Sequence, residues 1–232
     1  MKTVFITGAN RGLGLEFTRQ YAQAGYQVIA TTRAPLQAEA LQKLAQAHNN
    51  IQIMSLDITD EKQLAGVKSM LQQQAIDILI ANAGYYGPKD ERNAFGQIDS
   101  EEWLKTFQIN TIAPLKLVET LYPNLQAGAE KKIAILSSKM GSIDDNSSGG
   151  SYIYRSSKTA LNAVIKSLSV DLKGDGIKVV SLHPGWVKTD MGGPNALIDS
   201  ETSVKGMMGV IKGLTGKKSG TFIAYDGKQI AW

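Results

Sequence analysis

The feature that most constrains the fold is a series of seven short apolar runs, several of them apolar at nearly every position. Such runs are typical of parallel strands that helices cover on both faces. They span residues 2–6, 26–31, 51–56, 77–81, 132–137, 177–182 and 221–225. The stretches between them predict helices over residues 13–24, 36–47, 61–73, 100–121, 152–172 and 200–212. This alternation predicts a doubly wound α/β fold with a seven-stranded parallel sheet.

Length and composition exclude several classes of protein. A chain of 232 residues with 43% apolar content suits one domain, and no repeat or linker indicates a second. There is no cysteine, and His48 and His183 lie too far apart in sequence to indicate a local metal site, so we expect no metal. The net charge of +4 is spread along the chain, which argues against nucleic-acid binding. No run suits a leader or a membrane span, so we expect a cytoplasmic protein that does not bind membranes.

A glycine-rich turn at residues 7–14, Thr-Gly-Ala-Asn-Arg-Gly-Leu-Gly, joins the first predicted strand to the first predicted helix. Glycines at this point let a dinucleotide's pyrophosphate approach the backbone N–H groups of the helix N-terminus. A P-loop is the rival interpretation, but Leu13-Gly14-Leu15 stands where that motif needs its lysine and hydroxyl residue. A glycine turn that binds nothing is the third possibility.

The end of the second predicted strand indicates which dinucleotide binds. A free ribose 2′-hydroxyl is usually held by a carboxylate about 20 residues beyond the glycines, and none stands near Thr31-Thr32-Arg33. Arg33 together with Arg11 could instead clamp a 2′-phosphate, although each arginine alone could be a solvated surface residue. The sequence therefore favours NADP(H) over NAD(H).

Two further polar positions follow predicted strands. Asp57 could accept a hydrogen bond from an adenine amino group, or it could only form an Asx turn that ends its strand. Asn82-Ala83-Gly84 lies at the carboxyl edge where sheets of this kind bind ligands, although a plain structural turn is the alternative.

Tyr154 and Lys158 stand four residues apart in a predicted helix, so the phenol and the ammonium share one helix face. A nearby positive charge favours the phenolate and prepares the tyrosine to exchange a proton. Tyr152 competes for this role, but Ser156, not a lysine, lies four residues beyond it. The spacing alone is common on solvated helices and gains meaning only from the nucleotide-binding turn.

The chain resembles the short-chain dehydrogenase/reductase family over nearly its whole length. The matching positions are the turn at residues 7–14, Asn82-Ala83-Gly84, Asn110, Ser138, Tyr154 with Lys158, and Pro184-Gly185 followed by Thr189. Residues 142–145 and 225–232 further resemble the branch that contains C-factor-like proteins and Sniffer-type carbonyl reductases. The resemblance implies a single-domain Rossmann fold, an oxidoreductase activity and a homodimer or homotetramer.

The resemblance also implies the catalytic roles. Tyr154 is expected to be the general acid, with its pKa pulled below the usual 10 by Lys158 and the cofactor. Lys158 is expected to hold the nicotinamide ribose, Ser138 to bind the substrate carbonyl, and Asn110 to hold a water that relays protons to Lys158. From the residues alone, Ser137 competes with Ser138, and Asn110 could instead cap a helix kink near Pro114.

The cofactor contacts expected from the residues and from the resemblance occupy five stretches of the chain as well as the catalytic pair. They are Gly8, Asn10, Arg11, Gly12, Leu13, Gly14, Arg33, Asp57, Ile58, Asn82, Ala83, Gly84, Tyr154, Lys158, Pro184, Gly185, Val187 and Thr189.

Two departures from the family pattern stand out. Ala81 precedes Asn82 where the family more often has a second asparagine, and Ser138 lies 16 residues before Tyr154, a few more than usual. The longer spacing requires a bulging loop, and residues 142–151 have the glycine and serine content to form one.

The region over residues 185–213 is expected to close over the substrate. Its apolar residues, or those beside it, are Trp186, Met191, Leu197, Ile198, Met207 and Met208, although helix packing or a subunit contact would explain the methionines equally well. These residues favour an apolar or aromatic ketone, aldehyde or quinone, and hence an NADPH-dependent carbonyl reductase. The alternative function is a C-factor-type, NAD(P)-binding regulatory protein without significant turnover. His183 is interpreted as a structural residue beside Pro184.

Overall fold

A computed structural model describes residues 1–232 and has a central sheet of seven strands that are all parallel, in the order β3-β2-β1-β4-β5-β6-β7. The strands are β1 Thr3–Thr7, β2 Gln27–Thr32, β3 Ile51–Ser55, β4 Ile78–Ala81, β5 Lys132–Leu136, β6 Lys178–His183 and β7 Thr221–Ala224. Every predicted strand is present within one residue at each end. The predicted fold class is confirmed.

Seven α-helices surround the sheet. They are α1 Gly12–Gln23, α2 Glu39–Ala47, α3 Glu61–Leu71, α4 Ser100–Phe107, α5 Ala113–Ala127, α6 Tyr152–Asp171 and α7 Ser200–Lys212. No helix combines the length and the apolar content that crossing a membrane requires.

The sheet separates two apolar clusters of similar size, one of 23 buried residues and one of 21, so both faces are covered. Successive side chains of a strand point to opposite faces, and β1 shows the consequence. Phe5 packs into the cluster that includes α3, α5 and α6, while Val4 and Ile6 pack into the cluster that includes α1, α2 and α7. This double coverage explains why the strands are apolar at almost every position.

The helix predicted over residues 36–47 is shorter than expected. A 3₁₀ turn over Pro35–Gln37 comes first, Ala38 has the non-helical angles φ −90° and ψ 59°, and α2 begins at Glu39. Proline favours the first position of such a turn but does not dictate how far the helix continues.

The long helix predicted over residues 100–121 is interrupted. The α4 helix ends at Phe107, a π-helical segment covers Gln108–Ile112, and α5 follows from Ala113. Pro114 has no N–H to donate to the carbonyl four residues earlier, that of Asn110, so a regular α-helical ladder is broken at this point. The interruption places Asn110 in the candidate site.

Candidate active site

The candidate site lies along the carboxyl edge of the sheet, where the segments after β1, β4, β5 and β6 meet. These segments carry the glycine turn, Asn82, Ser138 and Pro184 respectively. A parallel sheet binds ligands at this edge, near the point where the strand order reverses. Here the reversal falls between β1 and β4.

The glycine turn leads from the end of β1 at Thr7 to α1, which begins at Gly12. The N-cap residue, Arg11, makes no side-chain cap, and the first turn of α1 contains no acidic residue. The N–H groups of this helix N-terminus are therefore available to an anion. A Cβ at Gly14 would overlap the carbonyl oxygen of Gly8, which explains why this position requires glycine.

Asn82 braces the glycine turn from the neighbouring strand. Its side-chain nitrogen donates to the carbonyls of Thr7 at 2.8 Å and Gly8 at 3.2 Å. The hydroxyl of Thr7 in turn accepts from the backbone nitrogens of Asn82 and Ala83. Asn82 thus has the structural role that was considered for it, and a direct contact with the cofactor remains a prediction.

The two arginines expected to bind a 2′-phosphate have different surroundings. Arg33, after β2, is exposed and forms no hydrogen bond or ion pair. Arg11 is exposed as well, but its guanidinium pairs with the carboxylate of Asp190, which lies 179 positions further along the chain. Arg33 is therefore the free cation at this end of the site.

Asp57 forms an Asx turn after β3. Its Oδ1 accepts hydrogen bonds from the backbone nitrogen of Thr59 at 2.9 Å and from the Thr59 hydroxyl at 2.7 Å. The structural role considered for this residue is present, and adenine binding remains a prediction. The neighbouring Ile58 is buried.

Tyr154 and Lys158 lie in the first two turns of α6 and are only 7% and 5% exposed. Lys158 Nζ lies 5.8 Å from the centre of the Tyr154 ring and donates a 2.9 Å hydrogen bond to the carbonyl of Leu136. Tyr152, by contrast, is 41% exposed. The structure thus buries the tyrosine that the spacing favoured and leaves its competitor at the surface.

The ionisation behaviour of the pair differs from the expectation. Burial raises the pKa of Tyr154 to about 12, an interaction with Ser138 opposes the rise, and Tyr86 adds to it. Burial also lowers the pKa of Lys158 to about 8. In the polypeptide itself the pKa of Tyr154 moves opposite to the expectation, because burial disfavours the phenolate, and a lowering by Lys158 together with the bound cofactor remains a prediction.

Ser137 and Ser138 follow β5 and face different surroundings. Ser137 is 3% exposed, and its buried hydroxyl has no hydrogen-bond partner. Ser138 is half-buried, interacts with Tyr154, and accepts a hydrogen bond from the backbone nitrogen of Met140 at 3.2 Å. The structure therefore places Ser138, and not its neighbour, beside the tyrosine.

The extra residues between Ser138 and Tyr154 lie at the surface. Residues 143–150 are all exposed. Lys139 pairs with Asp145 at 2.8 Å, and Arg155 Nη2 donates to the hydroxyl of Ser148 at 2.8 Å. The loop thus lies at the surface, and these contacts connect it to the residues next to Ser138 and Tyr154.

A 3₁₀ turn over Lys139–Gly141 packs directly against α6. A Cβ at Gly141 would lie 2.8 Å from the Cβ of Lys158, closer than side chains pack. The carbonyl of Gly141 also accepts hydrogen bonds from Thr159 and Asn162. A residue without a side chain is needed here to bring the serine turn onto the helix that carries Tyr154.

Asn110 is fully buried in the π-helical segment. Its Oδ1 accepts from the backbone nitrogen of Tyr85 at 2.8 Å, and its Nδ2 donates to the carbonyl of Tyr85 at 2.7 Å and to the Ser157 hydroxyl at 3.0 Å. The side chain therefore joins the loop after β4 to α6. Segments of π-helix are frequent at functional sites.

The segment after β6 closes the site from the other side. His183 Nδ1 accepts a hydrogen bond from the backbone nitrogen of Lys139, consistent with its structural interpretation. Val187 is buried, and the Thr189 side chain lies against Gly12, since a Cβ at Gly12 would be 3.4 Å from Thr189 Cγ2. The structure thus brings Thr189 to the glycine turn, and the cofactor contacts of Pro184, Gly185 and Val187 remain predictions.

The six apolar residues expected over the substrate differ in burial, and Ile198 is half-buried with its Cδ1 next to Gly185. Trp186, Met191 and Leu197 are 51%, 43% and 77% exposed and remain candidates for substrate contact. Met207 is fully buried in the core, and Met208 packs against it. For these two methionines the alternative of helix packing is correct, because α7 turns them towards the sheet.

Sequence reasoning missed one aromatic residue in the site. The ring of Tyr86 lies 4.6 Å from that of Tyr154. Its position two residues after Asn82-Ala83-Gly84 was a usable signal, since that motif was already placed at the ligand-binding edge. The site as a whole combines an anion-binding helix end with a buried phenol, an ammonium and a serine hydroxyl, which suits proton transfer beside a bound dinucleotide.

Comparison with known proteins identifies relatives over the whole chain. The family model described as short chain dehydrogenase matches residues 2–197. C-signal from Myxococcus xanthus is 44% identical over 157 residues, which cover 68% of this chain and 93% of that protein.

Solved structures of similar proteins include two carbonyl reductases. Carbonyl reductase Sniffer of D. melanogaster is 40% identical with a TM-score of 0.90, and the match covers 100% of both chains. The NADPH-bound carbonyl reductase from chicken fatty liver is 35% identical with a TM-score of 0.92, over 100% of this chain and 99% of that one.

Proposed function

The chain belongs to the short-chain dehydrogenase family, and from that premise we propose that it is an NADPH-dependent reductase that converts a carbonyl compound to an alcohol. The observation that carries the proposal is the convergence of Tyr154, Lys158 and Ser138 at the edge that also presents the uncapped N-terminus of α1. Similarity to two carbonyl reductases supports the same reaction class.

The residues at the cofactor end fit NADPH. The free N–H groups of α1 suit the diphosphate, and Arg33 suits the 2′-phosphate because no carboxylate stands at the end of β2. Gly8, Asn10, Leu13, Ile58, Ala83, Gly84, Gly185 and Val187 are proposed to complete the surrounding surface. When bound, NADPH supplies the hydride that reduces the carbonyl carbon.

The chain's own residues are proposed to transfer a proton to the substrate oxygen. Ser138 is proposed to donate a hydrogen bond to the substrate carbonyl oxygen, which polarises the carbonyl and holds it near the phenol. Tyr154 then gives its proton to that oxygen as negative charge develops there. The ammonium of Lys158 stabilises the phenolate left behind, and its bond to the Leu136 carbonyl holds it in place.

Asn110 is proposed to assist the return of the proton through its backbone. Both side-chain N–H groups already donate, to Tyr85 and Ser157, and Oδ1 already accepts from Tyr85, so we assign the water to the backbone carbonyl. Its carbonyl has lost its usual α-helical donor because Pro114 has no N–H. A water held by that carbonyl could pass protons towards Lys158.

The proposed substrate is an apolar or aromatic ketone, aldehyde or quinone. Trp186, Met191 and Leu197 are exposed on the segment beyond β6, within the region 185–213 proposed to cover the substrate. An apolar surface next to a few polar groups is the usual character of a small-molecule site. A homodimer or homotetramer is proposed as the working assembly.

The decisive experiment measures NADPH oxidation with a panel of aromatic and aliphatic carbonyl compounds in the wild type, Tyr154→Phe and Tyr152→Phe. We expect turnover in the wild type, a loss of at least about 10³-fold in Tyr154→Phe, and little change in Tyr152→Phe. NADPH binding, measured by calorimetry, should survive in all three proteins. Tight binding without turnover of any carbonyl by the wild type would contradict the reductase and support the regulatory alternative.

A further inference from the structure

Tyr86 forms the closest aromatic contact of Tyr154. It lies in the loop between β4 and α4, and its ring centre is 4.6 Å from that of Tyr154 at an angle of 32° between the ring planes. Aromatic rings at this separation attract each other beyond the gain from burying their area. Tyr86 itself is half-buried, whereas Tyr154 is only 7% exposed.

Several contacts fix the position of the Tyr86 ring. Its hydroxyl is 3.3 Å from that of Ser151, the residue before α6. The adjacent Gly87 lies against the side chain of Ile153, because a Cβ there would be 3.3 Å from Ile153 Cγ2. The ring is thus anchored to the same helix that carries Tyr154.

A lysine extends this contact to the opposite side of the site. Lys89 Nζ lies 5.9 Å from the centre of the Tyr86 ring and 3.3 Å from the carbonyl oxygens of both Asp190 and Met191. The segment that covers the site is therefore bonded to the loop that carries Tyr86. A mobile surface tyrosine would not make this set of contacts.

Covering the phenol has a chemical consequence. Tyr154 is only 7% exposed, and burial is the largest cause of its raised pKa. The titratable groups that face it are Lys158 from its own helix and Tyr86 from the β4–α4 loop, with Lys89 beyond the latter. Removing the Tyr86 ring would admit water to the phenol and favour its charged form.

We propose that Tyr86 is a positioning residue for Tyr154, holding the ring in place and excluding water from the hydroxyl that transfers the proton. The inference rests on the proposed function for the role of Tyr154 as the acid. The placement of the two rings does not depend on the identity of the substrate.

The test uses Tyr86→Leu, which removes the ring, Tyr86→Phe, which keeps it, and Tyr152→Leu as the matched control on the exposed face of α6. The ionisation of Tyr154 is read from tyrosinate absorbance as the difference between each protein and the same protein carrying Tyr154→Phe. In Tyr86→Leu the transition should move down by about one pH unit, because the phenol regains water. In Tyr86→Phe it should move by less, because that variant loses only the charge contribution of the Tyr86 hydroxyl and keeps the ring, and in Tyr152→Leu it should stay in place.

Kinetics provide the second measurement. The kcat for NADPH-dependent carbonyl reduction should fall about 10-fold in Tyr86→Leu, with the KM for NADPH unchanged, because a misplaced acid slows the chemical step alone. The kcat of Tyr86→Leu should begin to fall at a lower pH than the wild-type kcat, since a general acid is deprotonated as the pH rises through its pKa. Tyr86→Phe, which keeps the ring, should be closer than Tyr86→Leu to the wild type in kcat and in the pH at which kcat is lost.

A tyrosinate transition of Tyr154 that does not shift in Tyr86→Leu would overturn the proposal, and so would an unchanged kcat. If Tyr86→Leu does not fold, Tyr86→Met makes the same comparison. The absorbance measurement needs no turnover, so it decides the role of Tyr86 even if no carbonyl is reduced, an outcome that would count only against the proposed function.

Discussion

The ammonium of Lys158 donates to the carbonyl oxygen of Leu136 at 2.9 Å, which connects the helix carrying Tyr154 to the last residue of strand β5. The contact explains how a lysine that is 5% exposed keeps a fixed position. Burial nevertheless lowers the pKa of this lysine to about 8, which means that holding its charge inside the protein costs stability.

Replacing the lysine should therefore raise the stability of the protein while removing its activity. Lys158→Met removes a charge that is buried below pH 8, so the free energy of unfolding at pH 7 should rise by about 1–2 kcal/mol, partly offset by the unpaired Leu136 carbonyl. Carbonyl reduction should be lost, and NADPH binding should weaken. Denaturant unfolding checks the first effect, and a variant less stable than the wild type would show that the hydrogen bond outweighs the burial cost.

The two adjacent serines after β5 should respond in opposite ways to removal of the hydroxyl. Ser138→Ala should lower kcat by about 10²-fold, because the substrate carbonyl loses a hydrogen-bond donor. Ser137→Ala should leave kcat unchanged and cost little stability, since its buried hydroxyl has no partner to lose. Equal effects of the two substitutions on steady-state kinetics would remove the role assigned to Ser138.

Gly141→Ala should damage the site through packing. The added Cβ would meet the Cβ of Lys158 at 2.8 Å, so the serine turn and α6 must move apart, at a cost of about 1–3 kcal/mol in the free energy of unfolding. We expect kcat to fall while the KM for NADPH changes little. Gly174→Ala is the matched control, because a Cβ there meets nothing within 4 Å. Wild-type kcat in Gly141→Ala would show that the turn can shift without harm.

The choice between NADPH and NADH should depend on Arg33. Arg33→Ala should reduce the ratio of NADPH to NADH affinity by about 10- to 100-fold, as expected for one lost charge-assisted contact to a phosphate. Arg11→Ala should have a smaller effect, because that guanidinium is already paired with Asp190. Both ratios follow from fluorescence titration of the reduced cofactors. An unchanged ratio in Arg33→Ala would remove this arginine from the phosphate site.

His183 should make stability depend on pH below neutrality. Burial, aided by the Lys139 ammonium, lowers the pKa of His183 to about 4, so between pH 6.5 and about 4 the unfolded chain binds a proton that the folded chain does not. This contribution to stability is present above pH 6.5 and is lost as the pH falls, by up to about 3 kcal/mol. His183→Asn should unfold with a shallower pH dependence over that range. The free energy of unfolding is measured by urea denaturation at each pH. The same pH dependence in the wild type and in His183→Asn would show that His183 does not cause the loss of stability.

Much of the fold could be predicted because its cause is local. The inner strands β1, β4 and β5 are buried at every position, and burial on both faces requires apolar residues at consecutive positions, which the sequence displays directly. The glycine turn and the Tyr154–Lys158 pair were recognisable for the same reason, since each is encoded within a few residues.

The features that sequence reasoning missed arise from contacts between distant segments. The pairing of Arg11 with Asp190 and the stacking of Tyr86 on Tyr154 each join separate loops, and periodicity carries no information about either. The raised pKa of Tyr154 was missed because burial is a tertiary property, whereas an i, i+4 spacing reports only the nearest charge. The interruption at Asn110 had one local signal, the proline four residues beyond it.

The exposed loop over residues 143–150 also bears on how such enzymes are recognised. Because the loop is exposed and is bonded to Lys139 and Arg155, residues can be gained or lost here during evolution without moving Ser138 or Tyr154. A search pattern with a fixed serine-to-tyrosine interval would therefore overlook chains that keep the same reacting groups in the same places. Whether the two groups can act together depends on their distance in space and not on the count of residues between them.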